Sequence, residues 1–296
     1  MQDAASDLDV IAMELIAIQV MNGIANGMIF FLIAVGLSVV FGIMHFLNVA
    51  HGSLYLLGAY LCHATAEATG SLLLGMLVGP AVLALGAWLA QPLLRKFLVL
   101  TPTFQILGTL GVALVIQEVV VMIWGTVGRP VMPPEWLAGS LPVGPIEYPA
   151  YRLFVIAVTA ALAAVLWWLL ERTSYGAVLR AGTESRSMIS LLGVNVDKVF
   201  GLTFALGAAL AGLAGALAAP IRGIEPFMAV DALAIAFVVV VIGGIGSFHG
   251  ALVAALLVGL VQSLMTLVWP LGANLMIYVA MAAIILLRPR GLMGRA

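Results

Sequence analysis

Residues 45–60 read HFLNVAHGSLYLLGAY, and they follow a long, almost unbroken apolar run. His45, Asn48, His51 and Gly52 interrupt that run. In a soluble protein they would suggest a metal or proton site; in a membrane segment they would mark a break. Composition decides the setting. The 296 residues are 64% hydrophobic and 8% charged, with a mean hydropathy of +1.21. A soluble domain carries about 25% charged residues, and no soluble core could hide this much apolar surface. The solvent is lipid, and the expected fold is an all-α polytopic membrane bundle of about 8–10 transmembrane or broken helices. Residues 1–296 form one transmembrane domain.

A crossing helix needs about 20 apolar residues. Apolar runs of that order occupy roughly 16–43, 52–68, 71–94, 103–124, 151–170, 199–219, 231–245, 250–269 and 272–287. Cations near span ends set the orientation. Arg95 and Lys96, then Arg172, Arg180, Arg186 and Lys198, then Arg288, Arg290 and Arg295 form three basic clusters expected in the cytoplasm. Residues 125–150 hold six prolines with Glu135 and Glu147 against Arg129, and read as an external loop. Nine crossings place the acidic N-terminus outside and the C-terminus inside. That N-terminus has Asp3, Asp7, Asp9 and Glu14 and no Lys or Arg, the wrong charge for a secretory n-region.

The opening stretch has an echo. VIGGIGSFHGALVAALLVGL, around Gly243, Gly244, Gly246 and His249, repeats the pattern of an apolar descent, a glycine-bearing break and a His-Gly pair. Interrupted helices in matching positions point toward a transport pathway. Both breaks are expected at the cytoplasmic end, as parts of an inner gate. A metal reading fails: no two of His45, His51, His63 and His249 have HxxxH spacing, and no carboxylate interleaves with them. Asn48 and His51 suit helix capping at the break. The single cysteine, Cys62, permits no disulfide within the chain. Gly207, Ala211 and Gly215, and beside them Ala208, Gly212 and Ala216, form two small-residue stripes that predict close neighbours on two sides.

Among intramembrane polar residues, Gln19, Asn22 and Asn26 share one helix face. Two readings stay open: they line a solute pathway, or they are interhelical glue. Glu118 lies about 9 Å from the outer end of its span and, with Asn48, joins the candidate pathway residues. No second acid sits clearly within a span, which counts against proton coupling. In the 171–198 cytoplasmic loop, Thr183 is a candidate N-cap, Glu184 follows in the first turn, and Gly193 suits a C′ position. Met188, Leu191 and Leu192 form a compact apolar face flanked by Arg180 and Arg186. Such a face needs a partner: this chain, the lipid interface, or a separate subunit.

The runs GLSVVFGIMHFLNVAHGSLYLLGAY, TPTFQILGTLGVALVIQ, SYGAVLRAGTESRSMISLLGVNVDKVFGLTFALGAALAGLAGAL, and AFVVVVIGGIGSFHGALVAALLVGL with LLRPRGLMG resemble, in order and spacing, the branched-chain amino acid (Liv-type) permeases of bacterial ABC importers. The resemblance covers nearly the whole chain. It implies a multi-pass subunit of the bacterial inner membrane, paired with a related permease, two cytoplasmic ATPase subunits and a periplasmic binding protein. ATP would be bound by the partners, and this chain would carry no cofactor; a Walker A pattern is absent. The family's coupling loop maps onto 174–198, with Gly193 and Arg180-Ala181 in place and Ser187-Met188-Ile189-Ser190 departing from the usual small pair. The same permease signature serves urea, short amides and aromatic acids, so the solute stays open. The competing classes are an ion-coupled carrier and a passive channel. An enzyme lacks support, since no nucleophile–base spacing occurs, and nucleic acid is not an expected partner.

Overall fold

The computed structural model describes residues 2–184, 190–191 and 193–294, with residues 2–11 and 183–184 by backbone alone. Eleven α-helices account for most of the described residues. They are α1 (Gln2–Met44), α2 (His51–Thr69), α3 (Leu72–Leu89), α4 (Gln91–Leu98), α5 (Pro102–Trp124), α6 (Ala150–Arg172), α7 (Ser174–Glu184), α8 (Val196–Arg222), α9 (Met228–Gly243), α10 (Phe248–Val268) and α11 (Ala273–Leu287). One antiparallel hairpin, β1 (Ser140–Val143) with β2 (Ile146–Pro149), lies between α5 and α6. Seven helices are long and apolar enough to cross a membrane. Helix α2 and the shorter α9 correspond to the apolar runs 52–68 and 231–245 but fall outside that set of seven among the described residues. The run 71–94 divides, however. Pro92, in the first turn of α4, accompanies a break at Ala90, so Arg95 and Lys96 sit on a separate short helix.

The bundle has two ends. The hairpin end gathers β1–β2, Arg129 and Asn22, where the Tyr148 hydroxyl donates to Asn22 Oδ1 at 3.0 Å. The basic end gathers the α4, α7 and C-terminal cations, where Arg95 pairs with Asp197 at 3.2 Å. Helices α1, α8 and α9 form the buried centre with α2 and α10. Their close approach follows from glycine. A Cβ on Gly58 of α2 would lie 2.1 Å from the Gly212 carbonyl oxygen of α8, and one on Gly215 would lie 2.0 Å from that of Tyr55. Gly207 meets Gly36 of α1. The two stripes on α8 thus face α1 and α2, as the spacing predicts. Helices α5 and α11 stand outside and expose long apolar faces, which lipid or another subunit covers.

The 45–50 segment departs from expectation. α1 ends at His45, which takes the left-handed conformation usual for glycine (φ 51). The chain then rises into the bundle, because His51 Nε2 donates to the Ile33 carbonyl oxygen at 3.0 Å. Ile33 is eleven residues from Met44, about 16 Å along α1. His51 therefore begins α2 near mid-bundle, while Gly246 packs on Gly42 at the basic end. Nor do Asn48 and His51 cap α2 with their side chains: Ala50 is the N-cap residue and the helix has no side-chain cap.

Irregular backbone at this depth needs partners from protein. Two α5 side chains supply them. Gln105 Oε1 accepts from the Leu47 N–H at 3.4 Å, and the Thr109 hydroxyl accepts from the Val49 N–H at 3.1 Å. Thr109→Val removes the acceptor and keeps the shape, leaving the half-buried Val49 N–H unpaired at a cost of up to about 1–3 kcal/mol. Its thermal unfolding in detergent should fall below both wild type and Thr109→Ser, which keeps the hydroxyl. A valine variant as stable as the serine variant would contradict the assignment.

Candidate translocation site

Gln19, Asn22 and Asn26 lie along α1 at the hairpin end. Gln19 accepts from Ser263 of α10 at 2.7 Å and from Asn22 Nδ2 at 3.2 Å. Asn22 Oδ1 accepts from Tyr148 and, at 2.5 Å, from Arg152 of α6. These two amides tie α1 to α10, the hairpin and α6. Asn26 Oδ1 is buried and has no hydrogen-bond partner among the described residues. Glu118 is exposed on the outward side of α5, between the exposed Leu114 and Met122. Asn48 is buried in the rising segment.

The helix ends near mid-bundle enclose a cavity of about 180 Å³. Its apolar wall is Ile29, Phe30 and Ile33 of α1 with Ile235 of α9; Tyr55 of α2 borders it. Arg222, Glu225 and Asp231 supply its charges. Depth follows from α1. Residues 29–33 lie seven to eleven positions from Asn22, about 10–16 Å below the hairpin rim. Helix α8 stops at this level, its last residue Arg222 lying 5.1 Å from the centre of the Phe30 ring. Helix α9 starts there too: a Cβ on Gly52 at the start of α2 would lie 2.1 Å from the Ala229 carbonyl oxygen. The connection between them is roofed by the 125–150 loop, where Arg129 and Ile224 exchange backbone hydrogen bonds at 2.8 and 2.9 Å.

Arg222, Glu225 and Asp231 are exposed on the surface of this chain, and among the described residues they form no ion pair. No motif or spacing marks Arg222 or Glu225, and Asp231 stands at the start of an apolar run. A signal in the sequence is that Arg222 stands alone at one end of an apolar run, away from the three basic clusters.

A second cleft, about 550 Å³, opens at the basic end between the end of α1, the α6–α7 corner and the 244–249 turn. Ser38, Gly42, Glu171, Arg180, Ser247 and His249 border it. Ser247 caps α10 through the Gly250 N–H at 3.0 Å; the exposed His249 follows in the first turn. Gly243 and Gly250 touch backbone to backbone across this turn, and Gly244 and Gly246 take positive φ. The two breaks expected together thus differ in depth: 244–249 stays at the basic end, while 45–51 starts there and rises to mid-bundle at His51.

In the 171–198 loop, α7 already runs through Thr183 and Glu184, so Thr183 ends one helix where an N-cap for the next was expected. Tyr175, Val178 and Leu179 at i, i+3 and i+4 are the pattern that announces α7. Leu179 is buried with Ile43 and Phe200, and Tyr175 and Thr203 hydroxyls share a 2.9 Å hydrogen bond. Arg180 bonds the Leu170 carbonyl and pairs with Glu171 at 3.6 Å. Gly193 has the left-handed φ of a C′ residue (79°), and Leu191 is exposed. Arg186, Met188 and Leu192 lie outside the described residues.

Residues 19–287 match the family described as "Branched-chain amino acid transport system / permease component". The chain belongs to this family. It is similar to the high-affinity branched-chain amino acid transport system permease protein LivH of Escherichia coli K12, 30% identical over 94% of this chain and 95% of that one. Permease protein BraD of Pseudomonas aeruginosa is 25% identical over the same shares. A probable LivH of Methanocaldococcus jannaschii is 27% identical over 89% of this chain and 88% of its own. No solved structure matches. The chain is therefore a multi-pass transport permease subunit of an ATP-binding-cassette importer, and the mid-bundle cavity and basic-end cleft are read in that light.

Proposed function

We propose that this permease carries a branched-chain amino acid through a passage shared with a second, related permease. Two ATPase subunits dock on the 171–198 loop, and an external binding protein delivers the solute. ATP is bound by those partners, and this chain needs no cofactor. The hairpin end faces outward and the basic end faces the cytoplasm, as the cation clusters favour; the setting is the cytoplasmic membrane. One observation carries the reading. Three charged side chains with no ion-pair partner among the described residues are exposed beside a cavity walled by Ile29, Phe30 and Ile33 of α1. Charge facing lipid is costly, so this face is suited to water and a protein partner rather than to lipid. A second permease closing over it leaves a water-filled passage. The cavity, smaller than the roughly 300–1,000 Å³ of a complete small-molecule site, suits half of such a passage. The basic-end cleft, bordered by the α6–α7 corner, would open and close as the ATPases move.

The test is uptake of labelled leucine into proteoliposomes holding both permeases, both ATPases and external binding protein. Uptake should require ATP inside, survive a protonophore, and vanish when the ATPases are omitted. Uptake that persists without ATPases and collapses with the ion gradient would overturn the reading in favour of an ion-coupled carrier.

A further inference from the structure

The mid-bundle cavity has more chemistry than a passive passage requires. One wall is apolar and branched-chain sized, built from Ile29, Phe30, Ile33 and Ile235. Opposite charges stand beside it: the Arg222 guanidinium at the end of α8, and the Glu225 and Asp231 carboxylates around the start of α9. None is paired within the described residues, although a mutual ion pair would be the ordinary outcome for a cation and two anions around one cavity. Tyr55 borders the same space. It is 7% exposed, and its hydroxyl makes no hydrogen bond among the described residues. Helix α9 begins at the cavity with no side-chain cap, since Phe227 holds the N-cap position; the Met228 N–H bonds the Glu225 carbonyl oxygen at 3.3 Å, which leaves the next N–H groups of the first turn to attract an anion.

We infer that this cavity is a way station for zwitterions, which holds the α-carboxylate at Arg222 and the α9 N-terminus and the α-ammonium at Asp231 and Glu225. The inference rests on the permease reading and deepens it. A zwitterion brings both missing partners at once. A guanidinium forks onto a carboxylate through two N–H donors, and the Tyr55 hydroxyl can add a third. A carboxylate pair accepts an ammonium, and a second permease closing over the exposed face would shelter the site. The lining carries one positive and two negative formal charges, so a bare carboxylate at Arg222 leaves both acids unmatched and the site strongly negative. An amine alone satisfies the acids and leaves Arg222 unpaired. Asp231 at the first turn of α9 also favours the helix dipole, but that role explains neither Arg222 nor the uncovered phenol.

The experiment uses membranes containing the whole assembled importer with Met228→Cys in this chain. Met228 lines the cavity, and the native Cys62 is buried. The rate of alkylation by a charged maleimide is read on this chain with three probes: L-leucine, 4-methylpentanoate, which lacks the amine, and 3-methylbutylamine, which lacks the carboxylate. Saturating leucine should slow labelling about fivefold or more by simple mass action. The amine should protect weakly and the carboxylate not at all. Arg222→Gln and Asp231→Asn should each abolish protection by leucine. Equal protection by all three probes, no protection by leucine, or full protection in both variants overturns the inference. If a variant fails to assemble, the probe series in the otherwise unaltered cavity still decides. Leucine uptake by the parent importer separates the two readings: uptake without protection refutes the way station alone, and protection without uptake refutes the transport reading alone.

Discussion

A Gly58→Val importer should transport at less than about a tenth of the wild-type rate, with a lower unfolding temperature in detergent. The α2–α8 crossing leaves no room for a side chain. A Cβ on Gly58 would lie 2.1 Å from the Gly212 oxygen and 2.3 Å from its Cα. Both obstacles are backbone, so no rotamer change relieves them, and the helices must separate. Overpacking of a fitted interior costs about 1–3 kcal/mol, and more when backbone moves. Membrane helices rely on such close contact because lipid offers no hydrophobic drive between them. Separation also shifts Tyr55, whose carbonyl oxygen lies 2.0 Å from a Cβ built on Gly215 and whose side chain borders the mid-bundle cavity. Stability and transport should therefore fall together. Gly111→Ala is the control. Gly111 lies on α5 with nothing within 4 Å of an added Cβ, and alanine there should be neutral or stabilising by up to about 1 kcal/mol. Wild-type uptake from Gly58→Val would refute the close-packed crossing.

How far the sequence reveals this fold depends on which residues share a helix. The apolar runs and the small-residue stripes on α8 are written in contiguous stretches; helices occupy those runs, seven of them long and apolar enough to cross a membrane among the described residues, and the stripes meet neighbouring helices closely. The depth of His51 is not. The rise of 45–50 is made possible by Gln105 and Thr109, more than fifty residues away, which satisfy its backbone. Nothing within 45–60 records that. The cavity was hidden for a similar reason. Arg222, Glu225 and Asp231 are plain in the sequence, but a charge beside an apolar run reads as interfacial by default. They stand deep only because α8 and α9 meet at the level of Phe30 and Gly52, a fact of packing against α1 and α2. In the 171–198 loop the error was local. Thr183 and Glu184 look like a helix start, while Tyr175, Val178 and Leu179 already mark the helix that contains them.

That helix leads to the second large effect. Gly176→Val should leave the chain inserted and folded, yet cut uptake by about tenfold or more and abolish stimulation of the partner ATPases by loaded binding protein. The α6–α7 corner is as tight as the α2–α8 crossing: a Cβ on Gly176 would lie 2.0 Å from the Leu170 oxygen and 2.5 Å from its carbonyl carbon. The corner is braced on every side. The Thr173 hydroxyl donates to the Leu169 carbonyl at 2.5 Å and accepts from the Gly176 N–H at 3.3 Å. Arg180 holds Leu170 and Glu171, Tyr175 reaches Thr203 of α8, and Leu179 is buried with Ile43 at the end of α1. Force applied to the 174–198 segment would pass through α7 into three spans as one body. A valine at 176 must swing α7 away from α6, which breaks the Arg180 contacts and misaligns the lever with the cleft at the basic end. The central bundle lies elsewhere, so the unfolding temperature should drop far less than in Gly58→Val. Tyr175→Phe, which removes one hydrogen bond worth about 0.5–1.5 kcal/mol, should weaken coupling only slightly. The comparison of ATPase stimulation with stability separates a broken lever from a broken fold. Normal stimulation in Gly176→Val would mean that the corner transmits nothing.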